Sequence, residues 1–141
     1  MKLSARSRYA TRLLLDLALH KDDTPLRTTV LSESTGITVQ FIEQIIRPLK
    51  KAGLITSKRG ATGGHILDKA PETITVGEVV RIMEGGISLT DCGVDESICA
   101  RSATCRTRLV WQRASRVLEQ ELDSITLADL MTNPEDRHLI D

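Results

Sequence analysis

The three cysteines of the chain are the residues with the most distinctive chemistry. Cys92, Cys99 and Cys105 fall within fourteen residues, with the spacing C-x6-C-x5-C, and the sequence contains no other cysteine. In a reducing compartment, clustered thiols are more often metal ligands or redox groups than structural disulfides. The spacing lacks the C-x2-C pair that is typical of structural zinc sites. It favours metal or cluster binding, with thiol redox sensing as the alternative.

Cys105 is predicted to stand at the start of a long helix, where unpaired backbone N–H groups and the helix dipole stabilise a thiolate. Three arginines, Arg101, Arg106 and Arg108, add positive charge around it. A thiolate is the form that both metal binding and thiol oxidation require.

A fourth ligand is not evident beside the three cysteines. The histidines all lie outside this stretch, and they are His20, His65 and His138. The carboxylates inside it, Asp91, Asp95 and Glu96, suit iron–sulfur sites poorly. A ligand from a second subunit is a further alternative.

A helix-turn-helix pattern precedes the cysteines. Apolar residues at helical spacing predict a first helix over about 4–20, and Thr28 or Thr29 is the expected cap of a second. Gly36 is expected to end that second helix, and Thr38 to cap a third that ends at Gly53. Two helices around a glycine-centred turn are typical of DNA-binding proteins.

A short hairpin follows the third helix. Residues 54–57 and 65–67 are predicted strands, and the residues between them form a basic, glycine-rich tip. A hairpin with a basic tip directly after a helix-turn-helix is the arrangement of a wing. The predicted fold class is therefore mainly α with a small β-hairpin wing, that is, a winged helix-turn-helix followed by a long helix.

The third helix and the wing carry the candidate DNA-binding side chains. Glutamine, arginine and glutamate on an exposed helix face can pair with adenine, guanine and cytosine in the major groove. Arginine at a wing tip can enter a narrow minor groove, and glycine there permits close backbone approach. The residues selected are Thr38, Gln40, Phe41, Glu43, Gln44, Arg47, Lys58, Arg59 and Gly60, with Arg8 as a phosphate contact.

Charge is divided unequally along the chain although the formal net charge is zero. Residues 1–70 hold twelve Lys and Arg against six Asp and Glu, whereas residues 71–141 hold seven against thirteen. A basic half is expected to meet a polyanion such as double-stranded DNA. No stretch reaches the roughly 18 apolar residues of a membrane span, so the sequence predicts a cytoplasmic protein with no membrane partner.

The remaining sequence predicts three regions in order. Residues 1–70 form the winged helix-turn-helix, residues 71–104 form a connecting helix capped by Thr75 and a polar loop with Cys92 and Cys99, and residues 105–141 form the long helix and a short final helix. The long helix carries a broad apolar stripe, composed of Val110, Trp111, Ala114, Val117, Leu118 and Leu122. We find no phosphate-binding glycine loop, nucleophile elbow or paired acid–base motif, so an enzyme is not expected.

These motifs together resemble the winged-helix regulators that include IscR and NsrR. The likeness extends over nearly the whole chain, and its most specific parts are the wing pattern Arg59-Gly60-x-x-Gly63-Gly64 and the cysteine trio. The other matching stretches are residues 1–4, 8–10, 41–44, 49–54, 76–79 and 125–130.

The resemblance implies a homodimer in which the long helix crosses its partner, and an iron–sulfur cluster of the 2Fe–2S or 4Fe–4S kind on Cys92, Cys99 and Cys105. It places Gln40, Glu43, Gln44 and Arg59 at DNA-contacting positions, and it implies target genes of cluster assembly, iron handling or stress defence. Arg108 stands where IscR-like members carry a histidine ligand, and Arg8 where some NsrR members carry an aspartate.

The expected function is therefore an iron–sulfur-sensing, homodimeric transcription regulator. Two alternatives remain open from the sequence: a cluster-free regulator that senses oxidants through its thiols, and an adaptor that keeps the winged fold but binds protein.

Overall fold

The computed structural model describes residues 2–20 and 22–132 of the 141-residue chain. Within these two ranges, seven helices and two strands follow one another: α1 Ala5–Leu19, α2 Thr28–Thr35, α3 Val39–Lys51, β1 Ile55–Lys58, β2 Gly64–Leu67, α4 Val76–Glu84, α5 Asp91–Val94, α6 Arg106–Asp123 and α7 Leu127–Met131. Three short 3-10 turns lie at Pro71–Thr73, Glu96–Ile98 and Ser102–Thr104. Within the described residues, no helix combines the length and apolar character needed to cross a membrane.

Local capping determines where the helix-turn-helix elements begin and end. The Thr38 hydroxyl accepts a hydrogen bond from the backbone N–H of Phe41, which satisfies one of the free donors at the start of α3. Gly36 ends α2 with a left-handed φ of 72°, which a residue with a Cβ atom rarely adopts. The predicted threonine cap of α2 was wrong. Thr28 is already the first helical residue, and Arg27 occupies the cap position without a side-chain bond.

The wing is a two-stranded antiparallel hairpin in which Ile55 pairs with Leu67 and Lys58 pairs with Gly64. The strands are displaced by about a residue from the predicted bounds, so the loop proper contains only residues 59–63. An isolated bridge joins His65 of β2 to Leu26, just before α2. The hairpin is therefore attached to the helical body close to its loop.

One apolar core unites the helical body with the wing base. It contains side chains with almost no solvent exposure from α1, α2, α3, β1, α4 and α7, such as Leu13, Leu31, Ile42, Ile55 and Leu127. The helices α1, α3 and α4 each contribute residues spaced three or four apart, which lie on one helix face. The core therefore holds α3 and the wing in a fixed relation to the rest of the domain.

The cysteine segment, residues 87–105, joins α4 to α6. The prediction of a plain polar loop here was wrong in part, because α5 and the 3-10 turns at Glu96–Ile98 and Ser102–Thr104 give the segment local helical order. Cys105 occupies the position immediately before α6, as predicted. The helix itself extends over eighteen residues and packs against α4.

Candidate DNA interface and cysteine segment

One side of α3 presents a row of exposed polar side chains. Gln40, Glu43, Gln44 and Arg47 are exposed, and the exposed Thr38 caps the helix at the same end. The opposite side buries Ile42, Ile45, Ile46 and Leu49 in the core. Burial of one face leaves the other free for hydrogen bonds, which is the arrangement that base reading in a major groove requires.

Phe41 is half-buried and differs in this from the other α3 residues selected from the sequence. Its ring packs edge-on against Tyr9 of α1, with centroids 5.5 Å apart and an interplanar angle of 81°. Tyr9 also lies beneath the guanidinium groups of Arg8 and Arg12, at 5.7 and 5.4 Å from the ring centroid. Sequence reasoning selected Arg8 but missed Arg12, which also donates to the Thr35 carbonyl and thereby joins α1 to the end of α2.

The wing tip exposes Lys58, Arg59 and Gly60. Gly60 has a φ of 102°, which a side chain would strain, and its carbonyl accepts a bond from the N–H of Gly63. A Cβ atom at Gly63 would collide with the Lys58 carbonyl. The glycines therefore allow a tight loop that leaves the charges of Lys58 and Arg59 at the end of the hairpin.

The three thiols occupy one segment but are not gathered. Cys99 is exposed, and Cys92 and Cys105 are partly buried. Across residues 2–20 and 22–132, no three His, Cys, Asp or Glu side chains are grouped closely enough to hold a metal ion. The donor set has the chemistry that an iron–sulfur cluster needs, because thiolates are its usual protein ligands. Its geometry in this conformation does not fit, so binding requires the segment to rearrange.

Cys105 has the most activated thiol environment that the structure resolves. A hydrogen bond with the Thr107 hydroxyl, 3.2 Å from Sγ, lowers the pKa of Cys105, with a further contribution from the backbone N–H of Arg108. Hydrogen bonds to the thiolate stabilise the charged form. The helix-start position predicted for Cys105 thus favours its thiolate.

Arg108 binds the cysteine segment to α6 from a buried position, with 9% of the residue exposed. Its Nε donates to the Cys92 carbonyl at 2.6 Å, and its Nη1 pairs with Glu96 at 2.9 Å. Because the guanidinium is engaged in this way and always protonated, it provides no fourth metal ligand. The sequence showed that Arg108 stands where IscR-like proteins carry a histidine, but it did not indicate these contacts.

Two further side chains of α6 reach the segment. Gln112 donates to the Gly93 carbonyl at 3.0 Å, and the Ser115 hydroxyl accepts from the Leu89 N–H at 2.9 Å. Both contacts were missed from the sequence, because residues 19 and 26 positions apart leave no periodic pattern. They make α6 the surface on which the cysteine segment rests.

The histidines are placed away from the thiols, where the structure describes them. The His20 ring hydrogen-bonds with the Thr24 hydroxyl, and the His65 ring lies in the wing between Thr28 and Ser57. His138 lies outside the described residues. The segment therefore has no histidine among its described contacts.

A helix-turn-helix with an exposed polar third helix, followed by a basic hairpin fixed to its base, defines a winged-helix DNA-binding protein. The comparisons with known proteins agree with this class. A sequence model of the family Rrf2, described as an iron-dependent transcriptional regulator, matches residues 3–133. The chain belongs to the Rrf2 family, whose members are DNA-binding transcription regulators and not enzymes.

Individual relatives extend the likeness over most of the chain. The protein rrf2 of Nitratidesulfovibrio vulgaris is 43% identical over 131 residues, which cover 93% of this chain and 87% of that protein. The solved structure of T. potens IscR has a TM-score of 0.77 at 33% identity and covers 100% of this chain and 93% of its own. CymR of B. subtilis, the global cysteine regulator, has a TM-score of 0.76 at 32% identity, with coverage of 94% and 99%. The predicted winged-helix fold and family are confirmed.

Proposed function

We propose that this regulator acts as a homodimer on a double-stranded operator, and that an iron–sulfur cluster on Cys92, Cys99 and Cys105 adjusts its affinity for DNA. One observation carries the proposal: the segment that holds every thiol of the chain is bound to α6 through Arg108, Gln112 and Ser115. A change in that segment therefore acts directly on the helix that we assign to the subunit contact. We place the protein in the cytoplasm, with the DNA that it would bind.

Self-association is supported by the exposed apolar side of α6. Val110 and Val117 are 56% and 59% exposed, and Leu109 is 63% exposed. Val110 and Val117, with Ala114 and Leu118, border a shallow groove, and large apolar patches of this kind mark protein contacts. A second copy related by a twofold axis would cover the same patch on both subunits. Sedimentation should give a dimer for the native chain and a monomer for Val117→Asp, and a native monomer would contradict the assignment.

DNA binding is assigned to the polar side of α3 and to the wing. Gln40, Glu43, Gln44 and Arg47 would face base edges, Thr38 and Phe41 would set the start of the helix, and Lys58, Arg59, Gly60 and Arg8 would meet the sugar-phosphate backbone. Two such units in a dimer read half-sites about one helical turn apart. Arg47→Ala should weaken operator binding about tenfold, since a good base contact contributes ~1–3 kcal/mol. Lys51→Ala, at the exposed C-terminal end of the same helix, is the matched control.

The cluster would be held by three thiolates, with the fourth position left to a ligand that this segment does not supply. When bound, the cluster supplies a redox-active centre whose loss or oxidation changes the local charge and structure. Cluster binding would require the Cys105 thiol to exchange its hydrogen bond with Thr107 for the cluster, while Arg108 holds the backbone carbonyl of Cys92. Because Cys105 immediately precedes α6, its movement into a shared site would alter the first turn of that helix.

Anaerobic purification tests the cluster. Protein with visible absorption and stoichiometric iron and sulfide is expected from the native chain, and colourless protein from Cys92→Ser. The DNA affinities of the two proteins should then differ, because a ligand shifts an equilibrium only if it binds the two states differently. Colourless native protein, prepared anaerobically and after reconstitution with iron and sulfide, would refute the cluster proposal.

A thiol-redox regulator is the second candidate, and it is favoured by the exposure of Cys99 and by the lowered pKa of the Cys105 thiol. In that reaction a peroxide would accept two electrons and two protons from two thiols, which form a disulfide. Iron-free protein that loses two thiols on peroxide treatment, with a matching change in DNA affinity, would support this candidate over the cluster.

A further inference from the structure

The wing does not project freely from the body, because β2 lies against the residues that precede α2. The backbone of His65 exchanges two hydrogen bonds with Leu26, at 2.9 and 2.8 Å. At Gly64 the two backbones approach so closely that a Cβ atom would lie 2.5 Å from the Leu26 backbone. This approach brings the His65 side chain next to the first turn of α2.

The His65 ring connects the wing with α2 through both of its nitrogens. Nε2 lies 3.0 Å from the Thr28 hydroxyl, and Nδ1 lies 2.7 Å from the Ser57 hydroxyl on β1. Burial lowers the pKa of His65, as does the nearby Lys50, while Glu43 acts in the opposite direction. A neutral ring donates through one nitrogen and accepts through the other, so it can satisfy both hydroxyl groups.

A second polar contact holds the tip of the hairpin. The guanidinium of Arg27 donates through Nη2 to the Ala61 carbonyl, in the loop between Arg59 and Gly63. Arg27 and Thr28 are neighbours at the start of α2, so the loop of the wing and the strand pair beside it are both attached to the same short stretch. A depression of about 310 Å³ lies beside these contacts and separates His65 and Thr28 from the α3 side chains Glu43, Arg47 and Lys50.

We propose that His65 is a positioning residue for DNA recognition: through Thr28 and Ser57 it fixes the angle of the wing to α3 and so determines where Arg59 meets the DNA. Arg27 assists by holding the loop. The inference rests on the proposed DNA surface. It adds that the wing's contribution depends on a polar junction, His65 with Thr28 and Ser57, whose residues are not among those assigned to base or phosphate contact. Removing the ring nitrogens should weaken binding as much as removing the Arg59 charge.

A double-mutant cycle between His65 and Arg59 tests this dependence. His65→Phe keeps a planar ring but lacks both hydrogen-bonding nitrogens. We expect Arg59→Ala to weaken operator binding about tenfold in the native chain and to reduce the slope of log K against log[salt] by about 1. In the His65→Phe background, Arg59→Ala should change neither the affinity nor the slope further, since the wing is already displaced. Independent, additive losses would overturn the proposal.

Two further variants test the same junction in case His65→Phe does not fold. Thr28→Val removes one hydroxyl of the junction at nearly constant volume. It should reproduce part of the His65→Phe effect, and Arg59→Ala should then weaken binding less in the Thr28→Val background than in the native chain. His65→Gln retains one donor and one acceptor and should recover part of the affinity. Thr28→Val that remains fully additive with Arg59→Ala would count against the junction.

Arg47→Ala distinguishes a failure of the positioning role of His65 from a failure of the proposed DNA surface. If Arg47→Ala and Arg59→Ala both leave DNA binding unchanged, the surface itself is wrongly assigned and the proposal is overturned with it. If Arg47→Ala weakens binding and the cycle is additive, the surface stands and only the positioning role of His65 fails.

Discussion

The winged-helix body and the cysteine segment are held in place by different kinds of contact. The body has a continuous apolar core that draws on α1, α2, α3, β1 and α4. Among the described residues, the core takes none between Met83 and Leu127. The cysteine segment instead leaves Val94 and Ile98 75% and 59% exposed and relies on polar contacts with α6. The body is therefore expected to hold the DNA-reading elements rigidly, whereas the cysteine segment can rearrange at a small cost in free energy.

The largest loss of stability is expected from a substitution in the apolar core of the body. Leu13→Ala should lower the free energy of unfolding by about 2–5 kcal/mol, because it deletes a fully buried side chain of α1 and leaves a cavity. Ile98→Ala, in the cysteine segment, should change it by less than ~0.5 kcal/mol, since its side chain is mostly exposed. Urea denaturation followed by circular dichroism measures both. Similar losses for the two variants would remove the distinction.

A smaller and more local effect is expected at Arg108. Arg108→Ala leaves the Cys92 carbonyl and Glu96 without their guanidinium partner, which costs about 1–3 kcal/mol for groups that are not fully rehydrated. Because these contacts hold one segment, the loss should appear as faster amide exchange over residues 88–104. Exchange in α1 and α3 should be unchanged.

Arg106→Ala is the matched control for this variant, because it removes an exposed arginine from the same turn of α6. It should leave exchange in the cysteine segment as it is in the native chain. Uniformly faster exchange across the whole protein in Arg108→Ala would mean that the segment and the core unfold together.

The same distinction between local and remote contacts explains what the sequence could predict. The caps at Thr38 and Thr75, the break at Gly36 and the apolar spacing of α3 depend on neighbours within a turn or two, and these predictions agree with the structure. The cap of α2 failed because two adjacent threonines offered the same signal and the helix begins at the first of them.

The contacts between different helices and strands could not be predicted from local sequence patterns. His65 meets Thr28 across 37 positions, Arg27 meets Ala61 across 34, and Arg108 meets Cys92 across 16. Each depends on the tertiary approach of two elements, and neither spacing nor composition encodes it. The thiol spacing likewise indicated that the three cysteines share a segment, but not that they do not converge on one site in this conformation.

The smallest effect on stability is expected where α4 of the body meets the end of α6. Arg81 of α4 makes two hydrogen bonds to Asp123 and one to Glu119 at the end of α6. The bond from Arg81 holds the pKa of Asp123 below its ordinary value. A carboxylate with a lower pKa in the folded state stabilises that state above the unfolded pKa, and this contribution disappears as the pH falls through the folded value.

Asp123→Asn should therefore flatten the acid side of the stability profile below about pH 4, the ordinary range of an aspartate. At neutral pH it should cost no more than ~1 kcal/mol, since Arg81 and Asp123 are 37% and 39% exposed and the pair is screened by water. Glu33→Gln, on the exposed side of α2, should leave the profile unchanged. If Asp123→Asn also gave faster amide exchange in the cysteine segment, the contact of Arg81 with Asp123 would help to hold that segment. The division between the body and the cysteine segment would then lie at α4 and not after it.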